Sequence, residues 1–213
     1  MSLRVIVPPH PLMAHWLTVL RDTNTPTPLY ASAMKELGRW LSYEAIRDWI
    51  PQRPQPVQTN YGQADGFVID ASAPLLVMPV LTSGLGLWAG GQEVLPNSRV
   101  VHLNLTDQCL VDLPKLIGDR EGVMIYDATI ATGEALISLL TQLQHRGVSG
   151  QRVRIICALA AAPGLKEIAE QFPQLTIYSA CIDAELNSDQ LIVPGIGNVT
   201  ERLYGISAVD FVG

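Results

Sequence analysis

Residues 123–135 have the sequence V-M-I-Y-D-A-T-I-A-T-G-E-A. The types and spacing of these residues are suited to binding an anion. Four apolar residues predict a strand buried on both faces, and Asp127 stands where that strand ends. A tight loop then reaches Thr132 and Gly133, after which leucines at helical spacing predict a helix. The first N–H groups of a helix lack internal partners and carry a positive partial charge, so this loop predicts a phosphate cradle. Glu134 conflicts with that interpretation because it places a carboxylate in the cradle.

The elements that must position this cradle alternate between strand and helix. Apolar runs predict strands at 75–80, 100–105, 123–126, 153–159 and 175–182, and helical periodicity predicts helices at 87–95, 134–145 and 163–171. This order predicts an α/β fold with a mostly parallel central sheet and helices on both faces. In such a fold ligands bind at the carboxyl ends of the strands, where the cradle and a second loop of small residues at 82–86 both lie.

The first third of the chain is predicted to be mainly helical. Two amphipathic helices are expected at 11–22 and 29–50, followed by an extended Pro-rich segment at 51–56 and a small hairpin at a sheet edge at 57–69. The sequence contains no internal repeat and no linker, so residues 1–213 are interpreted as a single domain.

The composition argues against several classes of protein. A chain of 213 residues with 48% hydrophobic and 16% charged residues buries a large core, so disorder is not expected. The formal net charge of −6 and the scattered basic residues argue against a nucleic-acid partner. Neither a membrane span nor a signal peptide is predicted, which favours a cytoplasmic location. The cysteines and histidines are dispersed, so reduced thiols and no protein-built metal site are expected.

A series of short motifs runs through nearly the whole chain in a fixed order. They are H-P-L at 10–12, L-R-D at 20–22, Y-E-A at 43–45, P-V-L at 79–81 with G-L-G at 84–86, D at 127 with A-T-G at 131–133, A-A-P at 161–163, I-D at 182–183 with L-N at 186–187, I-V-P-G at 192–195 with G at 197, and R-L at 202–203 with G at 205. In these residues the chain resembles the uracil phosphoribosyltransferases, which have the type I phosphoribosyltransferase fold. That resemblance implies transfer of ribose 5-phosphate from phosphoribosyl pyrophosphate (PRPP) to N1 of uracil, giving UMP and pyrophosphate.

The resemblance also implies a role for individual residues. Asp127 would bind the ribose hydroxyls, and the loop formed by Ala131, Thr132 and Gly133 would bind the 5-phosphate. The other two loops would bind pyrophosphate and uracil, the latter through backbone groups; their residues are Thr82, Ser83 and Gly84 for pyrophosphate and Ile192, Gly195 and Gly197 for uracil. Mg²⁺ is the implied cofactor, and a homodimer is the implied assembly, formed along the long second helix with Trp40 and Trp49 as anchors.

The sequence departs from the family pattern mainly on the PRPP side. Thr82 replaces an arginine of the pyrophosphate loop, and no Lys or Arg occurs at 106–114, where the family has an arginine-bearing arm. A permanent cation that binds phosphate is lost at each of these places. In the cradle, Glu134 stands where the family has glycine, and Ala135 stands where it has a hydroxyl residue. Near the uracil loop, Leu191 replaces an aromatic residue, and Asn198 and Glu201 replace aspartates.

Two hypotheses therefore follow from the sequence. One is a divergent uracil phosphoribosyltransferase in which Arg47 or Arg202 replaces the missing cations. The other is a non-catalytic homologue with a regulatory or scaffolding role, which binds a nucleotide effector or a partner protein. Structural explanations also remain open for Asp127, as a turn cap, and for Gly133, as a site of close strand–helix packing. The charged residues Arg21, Asp22, Arg47 and Asp48 are interpreted as ion-pair residues rather than substrate ligands.

Overall fold

A computed structural model describes residues 2–70, 74–95, 97–105, 113–114 and 116–205 of the chain. The helices are α1 (Pro11–Arg21), α2 (Thr27–Ile46), α3 (Gly84–Val94), α4 (Glu134–His145), α5 (Ala162–Gln171) and α6 (Val199–Tyr204). The strands are β1 (Arg4–Ile6), β2 (Gln52–Pro54), β3 (Val57–Thr59), β4 (Gly62–Ala64), β5 (Phe67–Ile69), β6 (Leu75–Pro79), β7 (Arg99–Val100), β8 (Gly122–Tyr126), β9 (Thr129–Ile130), β10 (Val153–Ala161), β11 (Thr176–Asp183), β12 (Glu185–Leu186) and β13 (Ile192–Val193).

The centre of the fold is a parallel sheet with the strand order β1-β11-β10-β8-β6-β7, and β9 also pairs with β10. All nine residues of β10 are buried, because helices cover both faces of the sheet. One apolar core lies between the sheet and α1, α2 and α3, and the other lies under α4 and α5. This arrangement confirms the predicted α/β fold with a mostly parallel sheet.

Helices α2 and α3 touch at backbone distance through glycines. A Cβ atom added at Gly38 would lie 1.9 Å from the carbonyl oxygen of Leu87, and one added at Gly90 would lie 1.8 Å from that of Lys35. No side chain fits in either place, since real Cβ atoms do not approach backbone oxygens so closely. The glycines therefore set the distance between α2 and α3, and α3 begins directly after the loop at residues 82–83.

The structure corrects several predicted boundaries. The expected hairpin at 57–69 is not part of the central sheet: β3 pairs with β4 and β2 with β5, as two separate antiparallel ladders. The second helix ends at Ile46 rather than residue 50, and a turn at 47–49 follows in which the N–H groups of Trp49 and Ile50 both donate to the carbonyl of Ile46. Helix α3 begins at Gly84 rather than Leu87, because close packing of its glycines against other residues outweighs their low helix propensity. The strand predicted at 100–105 is confined to β7, with one isolated bridge between Val80 and Leu103.

Other predictions have mixed outcomes. Cys157 and Cys181 are free thiols, as expected, whereas Cys109 and residues 106–112 of the predicted arm lie outside the described residues. No helix in the described part of the chain combines the length and apolarity that crossing a membrane requires. Trp40 stacks on His10 at 5.8 Å, and Trp49 packs beside the guanidinium of Arg154. Both tryptophans thus have partners within the chain but remain partly exposed, and their role as anchors of a homodimer stays a prediction.

Candidate active site

Three loops meet at the carboxyl edge of the sheet. Residues 81–83 follow β6, residues 127–133 follow β8, and residues 194–198 follow the small β12–β13 ladder that extends from the end of β11. The backbone N–H of Val80 donates to the carbonyl of Tyr126 at 2.8 Å, which fixes the first two loops side by side. The third loop leads into α6, and Thr200 of that helix shares a 3.1 Å hydrogen bond with Thr82. The loops that the sequence assigned to three ligand groups therefore form one connected edge.

The cradle loop has the geometry of a helix start. Gly133 is the N-cap of α4, with φ of 85°, and a Cβ atom there would lie 2.9 Å from the carbonyl oxygen of Gly164. Only glycine satisfies both conditions, which supports the structural explanation for Gly133, while its role in binding phosphate stays a prediction. The N–H of Glu134 lies 3.4 Å from Oγ of Thr132, while the Glu134 side chain and Ala135 are exposed. The carboxylate therefore occupies the first helical turn facing water, where an acid is favoured by the helix dipole.

Asp127 stands at the end of β8 with its carboxylate partly buried. Burial raises the pKa of Asp127 to about 6, although hydrogen bonds from the backbone N–H groups of Thr129 and Ala128 act against the shift. The carboxylate thus caps the turn at 128–129 rather than the turn before Thr132. A desolvated acid held in place by backbone donors at a strand end is also a suitable acceptor for hydroxyl groups.

The loop after β6 is covered by α6. The hydroxyl of Tyr204 donates to the carbonyl of Thr82 at 3.1 Å, in addition to the contact between Thr82 and Thr200. Ser83 is the N-cap residue of α3, and Gly84 is its first helical residue. The Thr82 hydroxyl is accordingly engaged within the chain at the position where the family carries an arginine.

The loop after β13 is held by a buried ion pair. Arg21 donates through Nη2 to Oδ1 of Asp183 at 2.6 Å and through Nη1 to Oδ2 at 2.9 Å. The same Nη1 donates to the carbonyl of Gly195 at 2.9 Å, and the N–H of Gly195 donates to Oδ2 of Asp183 at 3.0 Å. Burial alone would raise the pKa of Asp183, but the hydrogen bonds from Arg21 and Gly195 outweigh it and lower that pKa. Both backbone groups of Gly195 thus hold the loop in place, although its carbonyl oxygen can accept a second hydrogen bond, so the contact of Gly195 with uracil stays a prediction.

A second arginine holds the same loop from the other side. Arg202 Nη1 donates to the carbonyl of Ile196 at 3.1 Å and to that of Leu20, and Nη2 donates to the carbonyl of Asp22 at 2.6 Å. Its guanidinium lies 4.2 Å from the ring centre of Tyr30, whose hydroxyl also donates to Ile196. In this loop the N–H of Ile196 and both backbone groups of Gly197 have no hydrogen-bond partner among the described residues. These backbone groups remain available for hydrogen bonds to a ligand.

An open pocket of about 480 Å³ adjoins the cradle loop. It lies between α4, α5 and the turn after β12, and residues lining it include Thr132, Glu134, Glu167 and Gln190. No group of three or more His, Cys, Asp or Glu side chains in the described ranges is arranged to bind a metal ion.

Comparison with known proteins decides the family. Residues 7–206 match the profile of the family described as uracil phosphoribosyltransferase. The chain belongs to the uracil phosphoribosyltransferase family. It is 44% identical over 212 residues to the uracil phosphoribosyltransferase of Synechococcus elongatus, which covers 96% of this chain and 98% of that relative. The chloroplastic uracil phosphoribosyltransferase of Arabidopsis thaliana is 38% identical over 209 residues, covering 94% of this chain and 71% of the relative.

A solved structure supports the same conclusion for the fold. The AQ2163 protein from Aquifex aeolicus superimposes with a TM-score of 0.80 at 29% identity, and the match covers 96% of this chain and 99% of that one. As a member of the uracil phosphoribosyltransferase family the chain keeps the three loops at the carboxyl edge, and its departures from the family pattern can be examined one by one.

Two of these departures have a local structural explanation. Asn198 is the N-cap of α6 and accepts a hydrogen bond from the N–H of Glu201 at 3.3 Å, and Glu201 supplies an acid to the first turn. Together they start the helix that covers Thr82. Leu191, by contrast, is 61% exposed, and its side chain has no partner that explains its choice.

Both arginines proposed as substitute cations have partners within the chain. Arg47 pairs with Glu44 at 3.3 Å at the end of α2, beside Asp48, which contacts the amino end of β10. Arg202 is held by the backbone carbonyls of Leu20, Asp22 and Ile196, and the replacement of the family arginine by one of these two residues stays a prediction. The interpretation of Arg21 and Asp48 as ion-pair residues is confirmed by their pairs with Asp183 and Arg154. Asp183 belongs to the I-D motif at 182–183, but its pairing with Arg21 was not predicted, because nothing local in the sequence indicates that partner.

Proposed function

We propose that this protein is a uracil phosphoribosyltransferase acting in pyrimidine salvage in the cytoplasm. The bond from C1 of ribose to the pyrophosphate oxygen of PRPP breaks, a bond from C1 to N1 of uracil forms, and the N1 proton passes to water. The observation that carries this proposal is the convergence of the cradle, the Thr82 loop and the Gly197 loop on one edge of the sheet in a chain of this family.

The phosphate end of PRPP fits the cradle formed by Ala131, Thr132 and Gly133. Helix α4 has 12 residues, and its free N–H groups direct positive partial charge at this loop. Because the Glu134 carboxylate is exposed, its repulsion of a phosphate at ~4 Å is about 1 kcal/mol per unit charge in water rather than several. That cost weakens PRPP binding without preventing it.

Asp127 is proposed to accept hydrogen bonds from the ribose hydroxyls. The same carboxylate fits Mg²⁺, which binds through one or two carboxylates together with substrate phosphates. When bound, Mg²⁺ would neutralise charge on the departing pyrophosphate. The protein's own contribution is positional, because holding C1 of ribose against N1 of uracil removes the entropic cost of bringing them together.

Uracil is proposed to bind along the loop at residues 195–197. The N–H of Ile196 and the N–H and C=O of Gly197 provide donors and an acceptor, which suits the alternating edge of a pyrimidine. The ion pair of Arg21 with Asp183 and the contacts of Arg202 hold this loop in place before the base arrives. Preorganisation of this kind lowers the free-energy cost of binding.

The test is a direct assay of purified protein with Mg²⁺, PRPP and labelled uracil. We expect UMP and pyrophosphate in equal amounts, and their loss in Asp127→Ala. Absence of UMP with uracil, and of nucleotide with any other nucleobase, from folded protein would refute the proposal. In that case a rise in melting temperature with uracil or UMP but not with PRPP would support the non-catalytic alternative, since a ligand at 100 times its Kd adds about 2.7 kcal/mol.

The missing cation can be tested in the same assay. We expect the double substitution of Thr82→Arg with Glu134→Gly to lower KM for PRPP, because it adds one positive charge and removes one negative charge beside the phosphates. Thr82→Gln with Glu134→Gly is the matched control without the added cation. The proposed homodimer is tested separately by light scattering of the purified chain.

A further inference from the structure

A second polar pocket lies at the opposite, amino edge of the sheet. It has a volume of about 670 Å³, and its walls include Arg4, Arg154, Asp48, Trp49, Gln151 and Gln174. We call it the amino-edge pocket. It is separate from the candidate active site, because Arg154 is the second residue of β10 and the cradle lies beyond the other end of that strand. At about 3.3 Å per residue the two places are roughly 20 Å apart.

The two arginines of this pocket are aligned by the sheet itself. Arg4 of β1 and Arg154 of β10 both stand in register with Thr176 of β11, the strand between them. Residues in register on parallel strands point to the same face of a sheet, and neighbouring strands are about 4.8 Å apart. The α-carbons of Arg4 and Arg154 are therefore about 10 Å apart on one face, a distance that two long side chains can bridge around a small anion.

Arg154 is buried, yet part of its guanidinium is free. Its side chain is 9% exposed, and Nη1 donates to Asp48 at 2.7 Å, to the Tyr178 hydroxyl at 2.9 Å and to the carbonyl of Ala45. Its Nε and Nη2 have no acceptor among the described residues. Since every fully buried polar side-chain atom in the described ranges has a partner, these two nitrogens are not completely buried. They form the edge of the guanidinium that binds an oxyanion with two hydrogen bonds.

The charges around this pocket favour an anion although the whole chain carries −6. Its lining includes two arginines and one aspartate, and that aspartate is already bound to Nη1 of Arg154. The hydrogen bond from Arg154 lowers the pKa of Asp48, and the charge of Arg4 lowers it further. Asp48 therefore stays ionised and keeps the guanidinium oriented, and the two arginines and one aspartate of the lining leave one positive charge in excess.

We propose that the amino-edge pocket binds the phosphate or carboxylate group of a small molecule. Arg154 donates through Nε and Nη2, and Arg4 contributes the second positive charge. The indole of Trp49, which lies 4.9 Å from the Arg154 guanidinium carbon, provides an apolar wall for a ring or hydrocarbon part of the ligand. The pocket volume is in the range of small-molecule sites.

The test follows the indole N–H signal of Trp49 by NMR of ¹⁵N-labelled protein. Phenyl phosphate and benzoate are the two anionic probes, and benzyl alcohol is the uncharged control. The Trp49 signal is assigned from its loss in Trp49→Phe. We expect a saturable shift with at least one of the anions and none with benzyl alcohol, and the stronger probe tells phosphate from carboxylate. Binding in the active-site cradle does not produce this signal, because the cradle is remote from Trp49.

Variants identify the residues responsible. We expect Arg4→Gln to weaken binding about tenfold, as for the loss of one charge-assisted contact, and Arg154→Lys to weaken it at least as much. Arg120→Gln is the matched control, because Arg120 lies in a different pocket that Trp49 also lines. If Arg154→Lys does not fold, Arg4→Gln against Arg120→Gln decides the matter. No saturable shift with either anion up to about 10 mM, equal binding of benzyl alcohol, or equal losses in Arg4→Gln and Arg120→Gln would overturn the proposal.

Discussion

Replacing Asp183 by asparagine tests whether the buried ion pair holds the uracil loop. The substitution keeps the volume of the side chain but removes the charge that binds Arg21 and one of the two oxygens that accept from Arg21 and the Gly195 N–H. Loss of one partner from a fully buried pair costs about 3–5 kcal/mol. Asp183 is 6% exposed but Arg21 is 25% exposed, so water compensates the guanidinium in part. We therefore expect about 2 kcal/mol of lost stability, since hydrogen bonds to charged groups contribute about 1.5–3 kcal/mol.

The functional consequence is specific to one substrate. A loop that shifts by about 1 Å loses much of its contact with the base, and such shifts cost up to about a hundredfold in rate. We expect KM for uracil to rise at least about tenfold while KM for PRPP stays within about twofold, because the PRPP cradle lies on other loops. The melting temperature should fall by about 4–8 °C for this loss of stability. Glu185→Gln is the matched control, since Glu185 is an exposed acid two residues further along the chain.

The pH dependence of stability provides an independent check. The pKa of Asp183 is lowered in the folded protein, so its contribution is complete above the unfolded pKa of about 4 and is lost as the pH falls through the folded value. The difference in stability between wild type and Asp183→Asn should therefore be constant at neutral pH and shrink in acid. Unchanged KM for uracil together with an unchanged melting temperature would refute the reasoning.

Three further substitutions address the cradle loop. Gly133→Ala should lower the free energy of unfolding by about 1–3 kcal/mol, because the alanine would need a positive φ and its Cβ atom would clash with the carbonyl oxygen of Gly164. Chemical denaturation measures this loss, and an unchanged denaturation midpoint would contradict it. Asp127→Asn should raise the melting temperature above pH 6 and abolish PRPP binding. The folded pKa of about 6 exceeds the unfolded value of about 4, so the ionised acid costs stability progressively as the pH rises through that interval; a loss of stability at pH 8 would favour a purely structural cap. Glu134→Gln should lower KM for PRPP about fivefold, which corresponds to about 1 kcal/mol of exposed repulsion, and an unchanged KM would mean that the carboxylate points away from the phosphate.

The sequence was sufficient where a pattern has one physical solution. The helix at 134–145 was predicted to the residue, because Gly133 and the leucine periodicity fix its start and its buried face. The strands at 123–126 and 153–159 were predicted nearly in full, since a continuous apolar run between helices must be buried on both faces.

The remaining features depend on contacts between residues far apart in sequence. The pairing of Arg21 with Asp183 joins residues that are 162 positions apart, and no local pattern indicates it. The same is true of Gly195, whose backbone groups look available in sequence but are occupied in the folded chain. The helical state of Gly84 likewise depends on tertiary packing, which outweighs the low helix propensity of glycine.

The backbone contact between α2 and α3 has a consequence for attempts to alter this enzyme by random mutagenesis. Because α3 starts at the loop that carries Thr82, any side chain at Gly38 or Gly90 would displace α3 and move that loop with it. Such substitutions would then appear in an activity screen as defects in PRPP use, although neither glycine belongs to a substrate loop. Mutant libraries intended to restore a cation at Thr82 should leave both glycines unchanged. A variant with altered activity at either glycine should be attributed to a change in the distance between α2 and α3 rather than to a change in substrate contact.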